Sequence, residues 1–399
     1  MFGNLKKWIL ERFLAAKAEN ILGSRAELQQ EQKRVFHALD AARGIAALIV
    51  VLYHLPIAFR GSNFGSGDLA VDYFFGLSGF VLAHAYLGRL ASGRMAWREF
   101  MVARLVRLYP LYALSLVTTL ALLAIMKLLG LQIPWSSTAL AGKLPFAILM
   151  LPSPTFDWHA YLFPFTIAAW SILLELGVNL LFAISCRAIT RPGIRWSLIL
   201  FAGAILAIQI VVQDVLGGSS WNTLAAGIPR VCFSFYVGIQ IHEWLKNRHG
   251  KKPTHSIIGL LALGVLLTII SMPEHQWIKL VAIFVAFPLL IISLGTSDVP
   301  NGLTGALLKK LGVLSYAIYM MHGPVLFGWL TFYLTPDVLA ARSALVAVPI
   351  LITVVVIGWM ADHWFDRPTR GWITTRLRKR TTLNPKHIYA GLNNSDIKP

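Results

Sequence analysis

Residues 39–56 read LDAARGIAALIVVLYHLP, an apolar run that carries one arginine, Arg43, and one histidine, His54. The eleven positions between them make nearly whole turns at 3.6 residues per turn, so the two side chains share one helical face. At 1.5 Å per residue they are separated by about 16 Å of rise. An ionisable side chain at that depth in hydrocarbon is costly, and it normally faces a protein-lined cavity and marks function.

Similar apolar stretches recur along the whole chain. It has 399 residues, 56% hydrophobic and only 14% charged, with a mean hydropathy of +0.64. Soluble domains carry about 25% charged residues, so the composition describes an integral membrane protein. Runs of roughly 20 apolar residues fall at about 38–59, 69–88, 106–130, 162–186, 196–216, 223–245, 255–271, 277–294, 311–334 and 343–364. None alternates with the period of two that membrane strands require. The expected fold is all-α and polytopic, with about ten transmembrane helices.

The net charge of +18 might suggest nucleic acid, but its distribution argues against that. Lys and Arg collect before the first span and then in alternate loops, at Arg89, Arg94 and Arg98, at Arg187, Arg191 and Arg195, at Lys246 to Lys252, and at Lys309 and Lys310. The loops between hold little beyond Arg60, Lys143 and Arg342. The positive-inside rule then puts both termini in the cytoplasm, and the remaining basic excess suits the anionic lipid of the bilayer. Three regions are expected: a cytoplasmic or interfacial extension over 1–35, a transmembrane domain over 36–368, and a basic, disordered tail over 369–399. Residues 2–22 set Phe2, Leu5, Trp8, Ile9 and Phe13 among lysines, as an interfacial amphipathic helix would. Glu11 and Arg12 interrupt the early apolar stretch and argue against a cleavable signal peptide. The longest outer loop, about 131–161, is rich in Pro, Trp and Ser and suits a lid or an acceptor-contacting surface. Cys186 and Cys232 lie in apolar runs, without disulfide or metal-ligand spacing.

The chemistry-bearing residues lie inside or at the ends of the spans. A short loop, FRGSNFGSG (59–67), joins the first two spans, so they run antiparallel and bring Asp72 to the depth of His54. A carboxylate beside an imidazole fixes its tautomer and raises its basicity; the same pair reads equally as a tie between two helices. In DLAVDYFFGLSGFVLAHAY (68–86), Asp72, Phe75, Gly76 and Gly79 share a face, with Ser78 beside them, and the glycines permit close helix approach. Arg104 and Arg107, in REFMVARLVRLYPLY (98–112), join Arg43 in a cationic cluster at the inner surface. Such arginines anchor topology, and they are also the preferred partners of phosphates. In WSILLELGVN (170–179), Ser171, Glu175 and Asn179 form a polar stripe, and Glu175 needs a partner, with Arg230 or Arg43 as candidates. In LGVLSYAIYMMHGPV (311–325), Ser315, Tyr319 and His322 share a face, and Gly323-Pro324 is expected to kink the helix. Asp366-Arg367-Pro368 is expected to end the last helix at the cytoplasmic surface.

Taken in order, these five motifs resemble the acyltransferase-3 family of membrane acyltransferases across about 36–368. The resemblance implies a ten-helix domain that transfers acyl groups, most often acetyl, to extracytoplasmic or lipid-linked saccharides. It implies His54 as the catalytic histidine, with Asp72 and Glu175 as further catalytic positions. Arg43, Arg104 and Arg107 would serve the donor, acetyl-CoA, and Ser78, Tyr319 and His322 would support the substrate or the structure. The family often has Glu where this chain has Asp366. Many relatives append a periplasmic hydrolase-like domain, so this chain is expected to act alone or to pass its acyl group to a separate periplasmic transferase. Implied partners are a saccharide or glycolipid acceptor and the lipid bilayer, with no nucleic acid, and the implied location is the bacterial inner membrane. His54 either deprotonates the acceptor hydroxyl or accepts the acyl group itself. The rival class is a secondary transporter or flippase, since buried His, Asp, Glu and Arg also line substrate pathways.

Overall fold

In the computed structural model of the chain, the opening stretch is a helix over His37–His54, α1. It passes at Leu55 into a 3-10 turn next to Pro56, whose ring disfavours α-helical geometry in the residue before it. The structure describes residues 35–55, 66–133, 135–154, 160–214, 216–246, 275–300, 302–332 and 343–381, with residues 264, 268 and 272 besides.

The spans that follow are α2 (Gly67–Ala91), α3 (Trp97–Leu128), α5 (Ala169–Ile189), α6 (Pro192–Gln213), α7 (Leu224–Lys246), α8 (Gln276–Gly295) and α9 (Leu303–Phe332). A short helix, α4 (Ser137–Ile148), lies between α3 and α5. The last, α10, runs over Ser343–Met360, through a π-helical segment Ala361–Asp366, and on through Arg367–Thr381. Among the described residues nine helices are long and apolar enough to cross a membrane. The expected span at about 255–271 lies outside the described residues except for Gly264 and Thr268, as do the amphipathic segment 2–22 and the tail beyond 381.

Three boundaries differ from the sequence reading. Helix α3 begins nine residues before the expected 106, because Glu99 accepts from the Ala96 amide and caps its first turn. Residues 160–168 precede α5 without helix, and Tyr161 bridges to Ser220. Asp366-Arg367-Pro368 does not end α10, and the helix continues through Thr381, so 369–381 of the expected tail is helical rather than disordered. The widened π turn just before it accommodates the proline, which falls at the second position of the next α segment, where a missing N–H costs least. Pro324 likewise leaves α9 continuous from Leu303 to Phe332.

Two parallel helix pairs position the site. In the first, α1 lies along α9: a Cβ on Gly312 would meet Asp40 at 2.6 Å, and His54 reaches His322 further along both helices. Ala47, Val51 and Leu55 pack there on Leu314, Ile318 and Val325, with Ile350 and Val354 of α10 closing the cluster. In the second, α2 lies along α7. A Cβ on Gly79 would stand 1.9 Å from the Phe235 carbonyl oxygen, and one on Gly238 would stand 1.9 Å from that of Gly76. Only glycine permits this backbone approach, and the close packing supplies dispersion where lipid offers no hydrophobic drive.

Candidate functional site

The shared face of α1 points its two polar residues to different places. Arg43 donates from Nε to Ser315 Oγ at 2.7 Å and from Nη2 to the Gly312 carbonyl at 3.0 Å. Asp40, one turn earlier, holds the same Nη2 at 3.0 Å. These bonds fix the guanidinium against α9 near one end of the bundle.

Arg104 and Arg107, one turn apart on α3, come to the same place. Arg104 Nη2 donates to Glu175 Oε1 at 2.7 Å, and Ser78 Oγ donates to the same oxygen at 2.8 Å. Glu175 thus takes Arg104 as its partner, rather than Arg230 or Arg43. The Arg104 Nε is buried and has no hydrogen-bond acceptor. Arg107 lies 3.4 Å from Asp366 and over the Tyr316 ring at 5.5 Å. Asp366, 0% exposed, also holds Arg370 at 2.9 Å. The shorter Asp, where the family often has Glu, here holds the Arg107 guanidinium.

A cavity of about 140 Å³ opens among these groups. Arg43, Arg104, Arg107, Ser78, Glu175 and Ser315 line it, and so do Phe74, Tyr316, Ser171 and Tyr319. Three guanidinium groups from two helices therefore face one space, with a carboxylate beside each. About half of the lining residues are polar and the rest of the wall is aliphatic or aromatic, a combination that suits an organic ligand with a charged end.

Tyr319 lines this cavity and touches His322, the nearer of the two histidines. Its hydroxyl shares a 2.7 Å hydrogen bond with Ser171 Oγ, which itself donates to the Ala168 carbonyl. Its ring meets Phe74 edge to face at 5.4 Å and His322 at 5.7 Å. His322 in turn lies 4.9 Å from the His54 ring. His54 Nδ1 donates to the Val50 carbonyl at 2.8 Å, one turn back on its own helix. A carbonyl only accepts, so that nitrogen carries the hydrogen and Nε2 keeps its lone pair.

Asp72 does not partner His54. Its carboxylate accepts from Arg230 Nε at 2.9 and 3.0 Å and from Nη2 at 2.7 Å, and both residues are buried. Arg230 also donates to the carbonyls of Asp68 and Gly217 and lies over the Trp170 ring. The depth expected for Asp72 is met at Arg230, across the close α2–α7 contact, and the rotation of α2 turns the carboxylate to that helix. The imidazole is oriented by a backbone carbonyl instead.

Phe74, Tyr316 and Asp40 were not among the expected site residues. An aspartate three positions before Arg43 was a readable signal, since that spacing places two side chains on one face. Nothing in the sequence distinguished Phe74 or Tyr316 from other membrane aromatics. Asn179, the third member of the polar stripe, is buried with neither side-chain atom hydrogen-bonded, and it does not line the cavity.

A polytopic helical membrane protein with an arginine-lined cavity, and a histidine pair behind the Tyr319 of its wall, defines the class in structural terms. The family model described as "Acyltransferase domain" matches residues 36–363, and the chain belongs to this acyltransferase-3 family. It is a membrane acyltransferase. It is 41% identical over 195 residues, 47% of this chain and all of the relative, to "Protein 2 in picA locus" of Rhizobium radiobacter. It is 26% identical over 313 residues, 71% of this chain and 77% of the relative, to "Acyltransferase MdmB" of Streptomyces mycarofaciens. No solved structure matches the chain.

Proposed function

We propose that this acyltransferase moves an acetyl group from cytoplasmic acetyl-CoA to a hydroxyl of a cell-surface or lipid-linked saccharide, working in the bacterial inner membrane. The observation that carries the reading is the cavity shared by Arg43, Arg104 and Arg107. Guanidinium groups pair with phosphate oxygens in charge-assisted bonds, and the donor's diphosphate and ribose phosphate supply several. The unpartnered Arg104 Nε is a buried donor awaiting an acceptor. The loop charges support a cytoplasmic position for this end of the bundle, where acetyl-CoA is made.

The narrower part of the donor then extends along the apolar wall toward Phe74 and Tyr319. Tyr319 stands next to His322, which lies beside His54, so the thioester approaches the imidazoles past Tyr319. His54 presents a lone pair at Nε2, the chemical form that a general base or a nucleophile requires. Glu175, bound to Arg104 and Ser78, belongs to the donor side of this path, and Asp72 acts through structure. The acceptor comes from the opposite membrane face, either directly or through a separate periplasmic transferase.

Kinetics with two donors tests the phosphate assignment. A charged hydrogen bond contributes about 1.5–3 kcal/mol, so Arg104→Ala should raise KM for acetyl-CoA roughly 10- to 100-fold. S-acetylpantetheine, which lacks the nucleotide phosphates, should lose almost nothing in the same variant. Equal losses with both donors would refute a phosphate-binding role for the cavity.

A further inference from the structure

His54 and His322 face each other with ring centroids 4.9 Å apart, at an interplanar angle of 45°. Both Nδ1 atoms bond to a carbonyl of their own helix, His54 to Val50 and His322 to Tyr319. Neither carbonyl has a hydrogen to give, so both rings are the Nδ1–H tautomer and both Nε2 atoms hold lone pairs. Anchoring Nδ1 to its own helix turns each Nε2 away from that helix. His322 is 1% exposed and its Nε2 has no hydrogen-bond partner. A buried polar atom left unpaired is destabilising, and such exceptions call for a functional explanation. The site's carboxylates are engaged elsewhere: Asp72 by Arg230, Glu175 by Arg104, Asp366 by Arg107 and Arg370.

We propose that the two histidines divide the reaction, with His54 Nε2 accepting the acyl group and His322 Nε2 accepting the proton of the acceptor hydroxyl. The proposal rests on the acyl-transfer reading above and makes it more specific. In the first step His54 Nε2 attacks the thioester carbonyl. The N–C bond forms, the C–S bond breaks, and coenzyme A leaves as its thiolate. The acylated His54 then has no base to offer, because Nε2 is bonded to carbon and Nδ1–H is bonded to Val50. A second base is therefore needed, and His322 Nε2 is the unpaired one beside it. In the second step the hydroxyl oxygen bonds to the acyl carbon and its proton passes to His322 Nε2. The C–N bond breaks and its electron pair returns to His54 Nε2. The proton on His322 then neutralises the thiolate, directly or through solvent, and both rings regain their starting form. His322 contacts the reacting hydroxyl and is a catalytic residue in this scheme.

The test uses the full chain in lipid nanodiscs, with acetyl-CoA and labelled free coenzyme A and no saccharide. Label exchange between the two thiols reports the first step alone. Wild type and His322→Gln should both exchange, and His54→Ala should not. After the donor is removed, water serves as the acceptor, and the acetyl group on wild-type His54 should decay at least 100-fold faster than in His322→Gln, the low end of general-base contributions. His322→Asn should behave like His322→Gln. Absence of exchange in the wild type would overturn the proposal, even where acetylated glycans still form. So would loss of exchange in both His322 variants to the level of His54→Ala, or decay in them at the wild-type rate. Failure of the proposed function looks different: the wild type then neither exchanges label nor acetylates any glycan.

Discussion

Replacing Arg230 with Met isolates what the buried ion pair contributes. The side chain makes three hydrogen bonds to Asp72, at 2.9, 3.0 and 2.7 Å, and two to backbone carbonyls, at 3.0 and 3.1 Å. Methionine fills much of the same space, so the dominant loss is the cation beside a carboxylate that is 1% exposed. Breaking a buried pair from one side costs about 3–5 kcal/mol, a large part of a total stability of about 5–15 kcal/mol. Asp72→Leu alone strands the arginine and should cost a similar amount. Replacing both partners removes both stranded charges, and apolar substitutes for a buried pair are often neutral or better. Beyond the pair itself, only the Arg230 hydrogen bonds to the carbonyls of Asp68 and Gly217 are lost. A double-mutant cycle on the detergent-solubilised protein, followed by unfolding in mixed micelles, should therefore show a coupling of at least about 3 kcal/mol between the two positions. A coupling below about 0.5 kcal/mol would refute the pairing. An Asp72→Asn variant that keeps its stability and loses all transfer would restore Asp72 to His54.

Three other substitutions test separate contacts by the same unfolding assay. Gly79→Ala forces a Cβ to within 1.9 Å of a backbone oxygen on α7 and should cost 1–3 kcal/mol or more. Gly88→Ala, on the same helix with no atom within 4 Å, should be neutral or gain up to about 1 kcal/mol; equal behaviour of the two would contradict the α2–α7 packing. Lys279→Met removes bonds to the side chain and carbonyl of Asp214. Because Asp214 is 60% exposed, water rehydrates it and the loss should stay near 1–2 kcal/mol, well below that of Arg230→Met. Tyr319→Phe removes only the hydroxyl bonded to Ser171 and should cost about 0.5–1.5 kcal/mol; a larger effect on transfer than on stability would place that hydroxyl in the chemistry.

Much of this site was readable because helical spacing is a local property. The shared face of Arg43 and His54, the turn between Arg104 and Arg107, and the Ser315–Tyr319–His322 face all follow from 3.6 residues per turn. The convergence of Arg43, Arg104, Arg107, Ser315 and Tyr319 on one cavity required tertiary contacts, among them some across more than 260 residues between α1 and α9. Asp72 shows where such reasoning stops. Its depth in the bundle was legible, but rotation about the helix axis decides which neighbour it meets, and glycines 76, 79 and 238 set that rotation through backbone contact with α7. The misread end of α10 has another cause. Proline normally ends a helix by its missing N–H and its clash with the preceding turn, and a π turn at Ala361–Asp366 relieves both. That turn leaves no mark in hydropathy.

The central claim is acyl transfer through His54. The most direct test compares cell-surface glycans by mass spectrometry from cells lacking the protein, cells restored with the wild type, and cells restored with His54→Ala at equal membrane abundance. The account predicts an acetyl group that returns with the wild type and is missing with His54→Ala. Full acetylation in cells carrying His54→Ala would contradict it.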